Sequence, residues 1–475
     1  MARASAVSAA IADLRERLGD RVATGEAVCR QHAHSVSWIA AEPPDAVVWP
    51  LSTADVVAIV GVAEAHRVPL IAFGAGTSLE GHVNAPLGGI SVDFSRMTRI
   101  LRVEPRDLDC TVEPGVTRPM LNAYTRDLGL FFPVDPGAAD ATLGGMAATR
   151  ASGTNAMRYG TMRDNVLSLE AVMANGEVVR TGGRARKSAA GLDLTHLLIG
   201  SEGTLGLITE LTLKLHPIPE RIIAAACPFA TIAGACEAVI AANESGLGLA
   251  RVELLDAIQI RAINAYAKLA MDEVPHLFVE ISGGEAEADA TLARFREIAH
   301  AHGALRFDWA KDAAERARLW RARHDAYWSV AALWPGKLMS ASDVCVPVSR
   351  LAECVTETVS DFEAEGLIAP VVGHVGDGNF HVIPVVDPAD GAAVARARAV
   401  LDRLVARALA MGGTSTGEHG IGQGKRRYLA RELGQPAVAA MGAIKAALDP
   451  LGILNPGKVF PCADDVLDEI PLNLE

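Results

Sequence analysis

Val68-Pro69-Leu70-Ile71-Ala72-Phe73-Gly74-Ala75-Gly76-Thr77-Ser78-Leu79-Glu80-Gly81-His82 is the stretch on which the fold reading turns. Its first six residues form an apolar run of the length of a buried strand, and the chain then passes directly into glycines and hydroxyls. Upstream, Pro44 to Pro50 (PDAVVWP) holds another short apolar strand. Ser52-Thr53-Ala54-Asp55 has the pattern of a capping box, in which the Ser52 side chain binds the first exposed backbone N–H groups of a helix. Val56, Ile59, Val60 and Ala63 recur at helical spacing up to about His66. The sequence therefore predicts a β-α-β unit that ends in a glycine-rich turn.

Working outward, GISVDF, ILRVEP, DCTVEPGV, LSLEAVMANGEVVRTG and TLGLITELTLKLHP read as short strands broken by turns. Asn175-Gly176, between two alternating runs, marks a hairpin. Pro217 and Pro219 mark a domain boundary. Beyond them, amphipathic helices are expected near 230–245, 284–303, 311–332, 348–366 and 390–412. The strand-like pieces AAACPF, HLFVEIS, DVCVPV, APVVGHV and FHVIPVV lie between or beside them. Helices covering one face of an antiparallel sheet would account for that pattern. The fold class is α+β, with domains at 1–217 and 218–475. The last fifty or so residues, ending in an irregular tail from NPGKVFP onward, are expected to pack back on the first domain.

Half of the 475 residues are hydrophobic, enough for sizeable cores, so a globally disordered chain is excluded. Lys and Arg (44) are outnumbered by Asp and Glu (57), for a net charge of −13, and an acidic chain with no long basic run is a poor nucleic-acid binder. No apolar stretch is long enough to span a bilayer. The seven cysteines are scattered and odd in number with no Cys-x-x-Cys pair, which points to reduced thiols and a cytoplasmic location. Peripheral attachment to a membrane stays open. The Arg/Ala/Ser-rich start keeps an organellar address open as well.

Three segments concentrate glycine beside small polar residues: 73–82, 133–160 (PVDPGAADATLGGMAATRASGTNAMRYG) and 200–206 (GSEGTLG). Glycine lets backbone N–H groups approach an anion closely, and Ser/Thr hydroxyls add donors. None has the G-x-x-x-x-G-K-[ST] pattern, so a P-loop is excluded. Leu79 stands where the third glycine of a Rossmann turn belongs. Each loop alone reads as a plain turn, but three in one domain favour a large nucleotide with several polar faces.

Val371 to Ile383 (VVGHVGDGNFHVI) carries the strongest local signal. With Asp377-Gly378 as a two-residue turn, counting outward places His374 opposite His381, their Cβ atoms about 5 Å apart. Two converging imidazoles suit a divalent metal that still needs further ligands. Ser415 to Gly422 (STGEHGIG) offers the carboxylate of Glu418 and the imidazole of His419 among glycines. Two His and one Glu leave open positions on a metal, a mark of catalysis. Trp320 to His324 places Arg323 on a helix, where a guanidinium can grip a carboxylate bidentately or simply form a solvated basic face.

Taken together, FGAGTSLEG, PGAADATLGGMAATRASGTNAMRYGTMRDNV, GSEGTLGLITE, GHVGDGNFH, GEHGIG and NPGK occur in order over roughly residues 40–460. With these motifs the chain resembles the FAD-linked oxidases with a vanillyl-alcohol-oxidase (PCMH) type FAD domain. Within them it resembles the D-lactate dehydrogenase (cytochrome) and glycolate oxidase FAD-subunit branch. The resemblance implies non-covalent FAD, its pyrophosphate held by Gly74, Ala75, Gly76, Thr77 and Ser78, with Gly81 and His82 closing that loop. Pro136, Gly137, Thr142, Gly144, Gly145, Ser152, Gly153 and Tyr159 would line the flavin and phosphate channel. Glu202, Gly203, Ile208 and Asn455 would complete the flavin contacts. It implies further that His374, His381 and Glu418 bind a divalent metal (Zn, Mn or Fe), that His419 is the base and that Arg323 grips the substrate carboxylate.

The implied reaction is oxidation of a D-2-hydroxy acid to the 2-oxo acid. Hydride would pass to flavin N5, and electrons would go on to a quinone, cytochrome or electron-transfer protein. Similar enzymes for D-2-hydroxyglutarate carry polar residues where this chain has Ala341 and Ile383. An apolar wall would leave a second carboxylate unpaired, so D-lactate is expected first, with glycolate or D-2-hydroxyglutarate as alternatives. A metal-dependent hydrolase is the reading that rests on the His/His/Glu set alone, and a non-catalytic nucleotide-binding subunit is a third. Homodimerisation stays open.

Overall fold

Apolar strands that enter glycine turns set the frame of the first unit. The computed structural model describes residues 2–35 and 37–462, with the side chains of Ala2 and Arg3 outside that description. The end of the expected tail, 463–475, lies outside the described residues. The chain divides into two units. One comprises the chain up to Ser152, Tyr159–Ile218 and the stretch from Glu418 onward; the other comprises Gly153–Arg158 and Pro219–Gly417.

In the first unit Ala46–Val48, Thr53–His66 and Leu70–Phe73 form the expected strand, helix and strand. Ser52 accepts from the Asp55 backbone N–H at the helix start. The two strands are not neighbours. Ile90–Asp93 lies between them, parallel to both, so the crossover skips one position of the sheet. Helix Thr53–His66 and the unexpected N-terminal helix Ala2–Leu18 bury Val56, Ile59, Leu14 and Leu18 against this sheet. Every residue of Ala46–Val48 is buried, as a strand covered on both faces must be.

A second sheet of five antiparallel strands follows, ordered Ile100–Glu104, Asp109–Val112, Leu207–Lys214, Val166–Val172 and Val178–Arg180. The Asn175-Gly176 hairpin forms, but Met173 and Glu177 close it around three residues, with Gly176 at φ +78°. Two more unexpected helices, Arg426–Leu433 and Gln435–Leu448, belong to this unit.

The second unit is built on one seven-stranded sheet with every pairing antiparallel. Its order is Asp308–Trp309, Arg221–Pro228, His276–Gly283, Arg251–Leu255, Val371–Gly373, Asn379–Val382 and Val344–Cys345. Helices were expected on one face, yet His276–Gly283 is buried along nearly its whole length on both faces. One face packs Ala226, Leu255, Phe278 and Val372 against helices Ala257–Ala267, Ala313–His324 and Ala326–Leu333. Helices Ile232–Glu244 and Glu285–Ala301 pack on the sheet as a second group, and Leu351–Ala364 packs on the former. The physical reason is the composition of HLFVEIS, whose Leu277, Val279 and Ile281 on one side and Phe278 on the other are all apolar. The helix expected over 311–332 breaks at Asp325, which ends one helix and starts the next.

Candidate functional site

In the first unit the glycine loops converge on the end of the strand Leu70–Phe73. A Cβ on Gly74 would run into the Thr142 hydroxyl, so the loops after residues 73 and 135 touch there. Thr142 itself accepts from Gly145 N–H. Gly203, of the third loop, approaches the Ala72 side chain. Asn455 amide nitrogen Nδ2 donates to the Glu202 carbonyl at 2.6 Å, and its backbone N–H to the Leu70 carbonyl at 2.8 Å. Segments far apart in sequence thus meet at one place. Tyr159 packs edge-on against Phe131 and His216, and Ile208 is buried in the adjoining core. Gly153 opens the short stretch that belongs to the second unit.

Glu202 sits at φ +54° and is buried. Its carboxylate accepts from Ile421 N–H at 2.6 Å and Gly422 N–H at 2.8 Å, and lies 3.2 Å from His82 Nε2. Burial alone would raise its pKa; the His82 charge and hydrogen bond and the two amides outweigh that and hold it below the usual carboxylate range. The resemblance implied a flavin contact for Glu202, yet its side chain is committed to the loop that carries His419. Glu80 serves the same loop from the other side. Its carbonyl accepts from Gln423 N–H at 2.7 Å, and its Oε1 lies 3.9 Å from His419 Nδ1 and 3.6 Å from Lys425 Nζ. Glu80 stood unassigned in a glycine motif; a charged residue kept inside such a loop is the signal that could have marked it.

These residues fit a dinucleotide. His82 is buried, and its Nδ1 has no hydrogen-bond partner among the described residues. A cavity of about 590 Å³ opens beside the first loop, lined by Phe73, Ala75 and Gly76 with Arg30, Gln31 and His34. Of the glycine loop only Phe73, Ala75 and Gly76 line it; the Thr77 and Ser78 hydroxyls do not. Pro136, Gly137 and Gly144 lie on the second loop, where Gly144 is pressed against Pro114.

In the second unit the histidine hairpin forms with a shifted register. Val371 pairs with Val382 and Val372 with His381, so His374 does not oppose His381. The turn is a 3-10 helical turn, Val375–Asp377, closed by Gly378 at φ +79°, and is longer than the two residues expected. The shift is two residues, an even number, so both imidazoles keep the same face as diagonal neighbours. Their ring centroids are 5.5 Å apart at 86°.

Each ring has its Nδ1 spoken for. His381 Nδ1 lies 2.8 Å from the Ser342 carbonyl, which can only accept, so Nδ1 carries the proton. His374 Nδ1 lies 2.7 Å from Glu253 Oε1. Burial pushes the Glu253 pKa up, but Arg323 and then His374 outweigh it, and the carboxyl is held below its usual range. Ionised, it too can only accept. With Nδ1 as the donor, the neutral form of each ring has its lone pair on Nε2, the tautomer a metal ligand needs.

Arg323 is buried, with Nε and Nη2 at 2.7 Å and 2.6 Å from Glu253 Oε2. Sequence reasoning missed Glu253 because it missed the strand Arg251–Leu255. In RVELL the apolar Val252 and Leu254 alternate with Arg251 and Glu253, a short half-charged run that could have been read as a strand. Asp343, buried as well, accepts from Asn379 Nδ2 at 2.8 Å and from the Thr416 hydroxyl at 2.9 Å. Gly417 is packed against that same Asn379–Asp343 pair. Glu418 follows Gly417 by one peptide bond and opens the last segment of the first unit. Ile383 is buried, and Ala341 partly so, in the apolar cluster around Trp320.

Residues 218–459 match the family described as FAD linked oxidases, C-terminal domain, and residues 44–182 match the FAD binding domain. The chain is 46% identical over 463 residues to "Probable D-lactate dehydrogenase, mitochondrial" of Danio rerio, covering 97% of this chain and 93% of that one. It is 46% identical over 418 residues to a mitochondrial D-lactate dehydrogenase (cytochrome) of Arabidopsis thaliana, covering 88% and 74%. Glycolate oxidase subunit GlcD of Bacillus subtilis is 35% identical over 422 residues, covering 88% and 89%. Among solved structures, p-cresol methylhydroxylase superposes with a TM-score of 0.79 at 19% identity, covering 96% of this chain and 97% of that one. That likeness shows the fold, and it is the PCMH-type α+β fold expected. The first two relatives are named as mitochondrial, a compartment other than the expected cytoplasm. No helix among the described residues is long and apolar enough to cross a membrane.

Proposed function

We propose, from the premise that this chain belongs to the FAD linked oxidases and is a FAD-dependent oxidoreductase, that it oxidises a short D-2-hydroxy acid, D-lactate first, to the 2-oxo acid. The observation that carries this reading is 46% identity, over nearly the whole chain, to a relative named for that activity. Bound FAD would supply the two-electron acceptor. We assign its binding to the 74–78 loop with Gly81 and His82, to the second and third glycine loops, and to Asn455. The 3.2 Å contact of His82 Nε2 with the Glu202 carboxylate supports a non-covalent flavin, which acid precipitation should release.

We assign a divalent cation to His374, His381 and Glu418. It would act as a Lewis acid toward the substrate hydroxyl and carboxylate. The committed Nδ1 protons of both histidines support the assignment. His419 takes the hydroxyl proton onto a ring nitrogen, and Glu80, 3.9 Å from its Nδ1, favours the imidazolium that results. Arg323 meets the substrate carboxylate through Nη1, the arm that Glu253 does not take. Electrons leave to a quinone, a cytochrome or an electron-transfer protein.

The decisive experiment is a panel of D- and L-2-hydroxy acids with an acceptor dye, run with and without a chelator. D-lactate should exceed D-2-hydroxyglutarate in kcat/KM by about 10- to 100-fold, because the apolar Ala341 and Ile383 leave a second carboxylate unpaired. A preference for the dicarboxylate would refute the substrate assignment. The purified protein should be yellow, where a hydrolase would be colourless. His419→Asn should abolish turnover and leave the colour.

A further inference from the structure

Glu253 has no solvent exposure and stands in a central strand of the seven-stranded sheet. The pairings Leu254 with Gly373 and Leu255 with Val372, carried one residue further, put Glu253 opposite His374. Its two oxygens are divided between two functional side chains: Oε1 takes His374 Nδ1 at 2.7 Å and Oε2 takes Arg323 Nε at 2.7 Å. A charge pair inside a sheet contributes little net stability over an apolar pair of similar size. What this arrangement adds is orientation.

We propose that Glu253 is a positioning residue that joins the cation-binding histidine to the substrate-binding arginine, fixing the His374 tautomer with one oxygen and the Arg323 fork with the other. The inference rests on the metal assignment made above. A carboxylate behind a ligating imidazole turns the ring to present Nε2 and raises its basicity, and losing such a partner weakens metal binding about 10- to 100-fold. Holding Nε and Nη2 also immobilises the guanidinium, leaving the other edge of the fork pre-set for a carboxylate.

The test uses the full chain with FAD bound, charged with Zn or Mn alone and dialysed against graded chelator, reading the ratio of metal to flavin. Glu253→Gln should lose its metal at about 10- to 100-fold lower chelator than the wild type while keeping its flavin. Glu253→Asp, which keeps the charge but draws it back by one methylene, should fall between. A defect of folding would instead lower flavin and metal together. If Glu253→Gln keeps the wild-type chelator profile while His374→Ala loses its metal, the inference is overturned and the metal assignment stands. If the wild type itself holds no divalent ion, the metal assignment fails and takes the inference with it. Should Glu253→Gln not accumulate, Glu253→Asp decides alone: earlier metal loss supports the role and an unchanged profile overturns it.

Discussion

Glu202 in the first unit and Glu253 in the second are both buried carboxylates paired with a histidine, but they are satisfied in different ways. Glu202 spends its oxygens on two backbone amides, Ile421 and Gly422, besides His82. Glu253 spends its oxygens on two side chains, Arg323 and His374. A carboxylate that binds amides shapes the path of the chain, whereas one that binds side chains shapes their direction and leaves the path to the sheet. Removing Glu202 should therefore damage the fold around residues 418–422, and removing Glu253 should disturb the directions of Arg323 and His374, with a further stability cost from the buried guanidinium left unpaired.

The most damaging change should be Glu202→Ala, which leaves His82 and two amides buried without their acceptor. A loss of about 3–5 kcal/mol in chemical denaturation is expected, with weakened flavin retention. Glu202→Gln should recover little, since its amide places N–H donors against N–H donors. A Glu202→Ala protein as stable as the wild type would erase the contrast. The acid limb sharpens it further. Both carboxyls titrate below their usual range, so each stabilises the fold fully above its ordinary value of 4.5, and that contribution is lost as the pH falls through the lower folded value. Acid unfolding should be shallower in each glutamine variant.

The second unit holds its histidine turn by close backbone approach. Gly378 lies at φ +79°, and a Cβ there would strike the Val346 carbonyl. Gly378→Ala should cost about 2–3 kcal/mol, less than Glu202→Ala, from the left-handed backbone and the clash together. The loss should appear as weakened metal retention before flavin is released. Flavin lost first would show that the turn serves the fold as a whole.

Much of this was legible in the residues themselves. The glycine loops and the His374/His381 pair announce themselves because each uses residue types that a plain turn or strand does not need. The hairpin register did not, because a D-G turn can close with two residues or lengthen by a helical turn, and the packing of Gly378 on Val346 decides between them. Glu253 was hidden for a related reason: five residues of RVELL carry too little alternation to be called a strand until partners on both sides supply its hydrogen bonds. Glu80 and Glu202 were visible as letters, but their work on residues 421–424 lies more than two hundred positions away and no local pattern encodes it.

A further effect separates the units by sign. Burial lowers Lys458 from 10.5 to about 8 and raises Asp256 from 3.8 to about 7. Lys458 donates to the Asn84 carbonyl at 2.7 Å in the first unit, and Asp256 caps the helix Ala257–Ala267 in the second. Between pH 8 and 10.5 the unfolded chain holds a proton at Lys458 that the folded chain has released, so stability rises with pH across that window. Between pH 3.8 and 7 the folded chain keeps a proton at Asp256 that the unfolded chain has lost, so stability falls with pH there. Lys458→Met should flatten the first slope and Asp256→Asn the second, each removing on the order of 3–4 kcal/mol over its window. Denaturation midpoints measured from pH 4 to 10 would check both, and a Lys458→Met protein that kept the alkaline rise would assign it to another group.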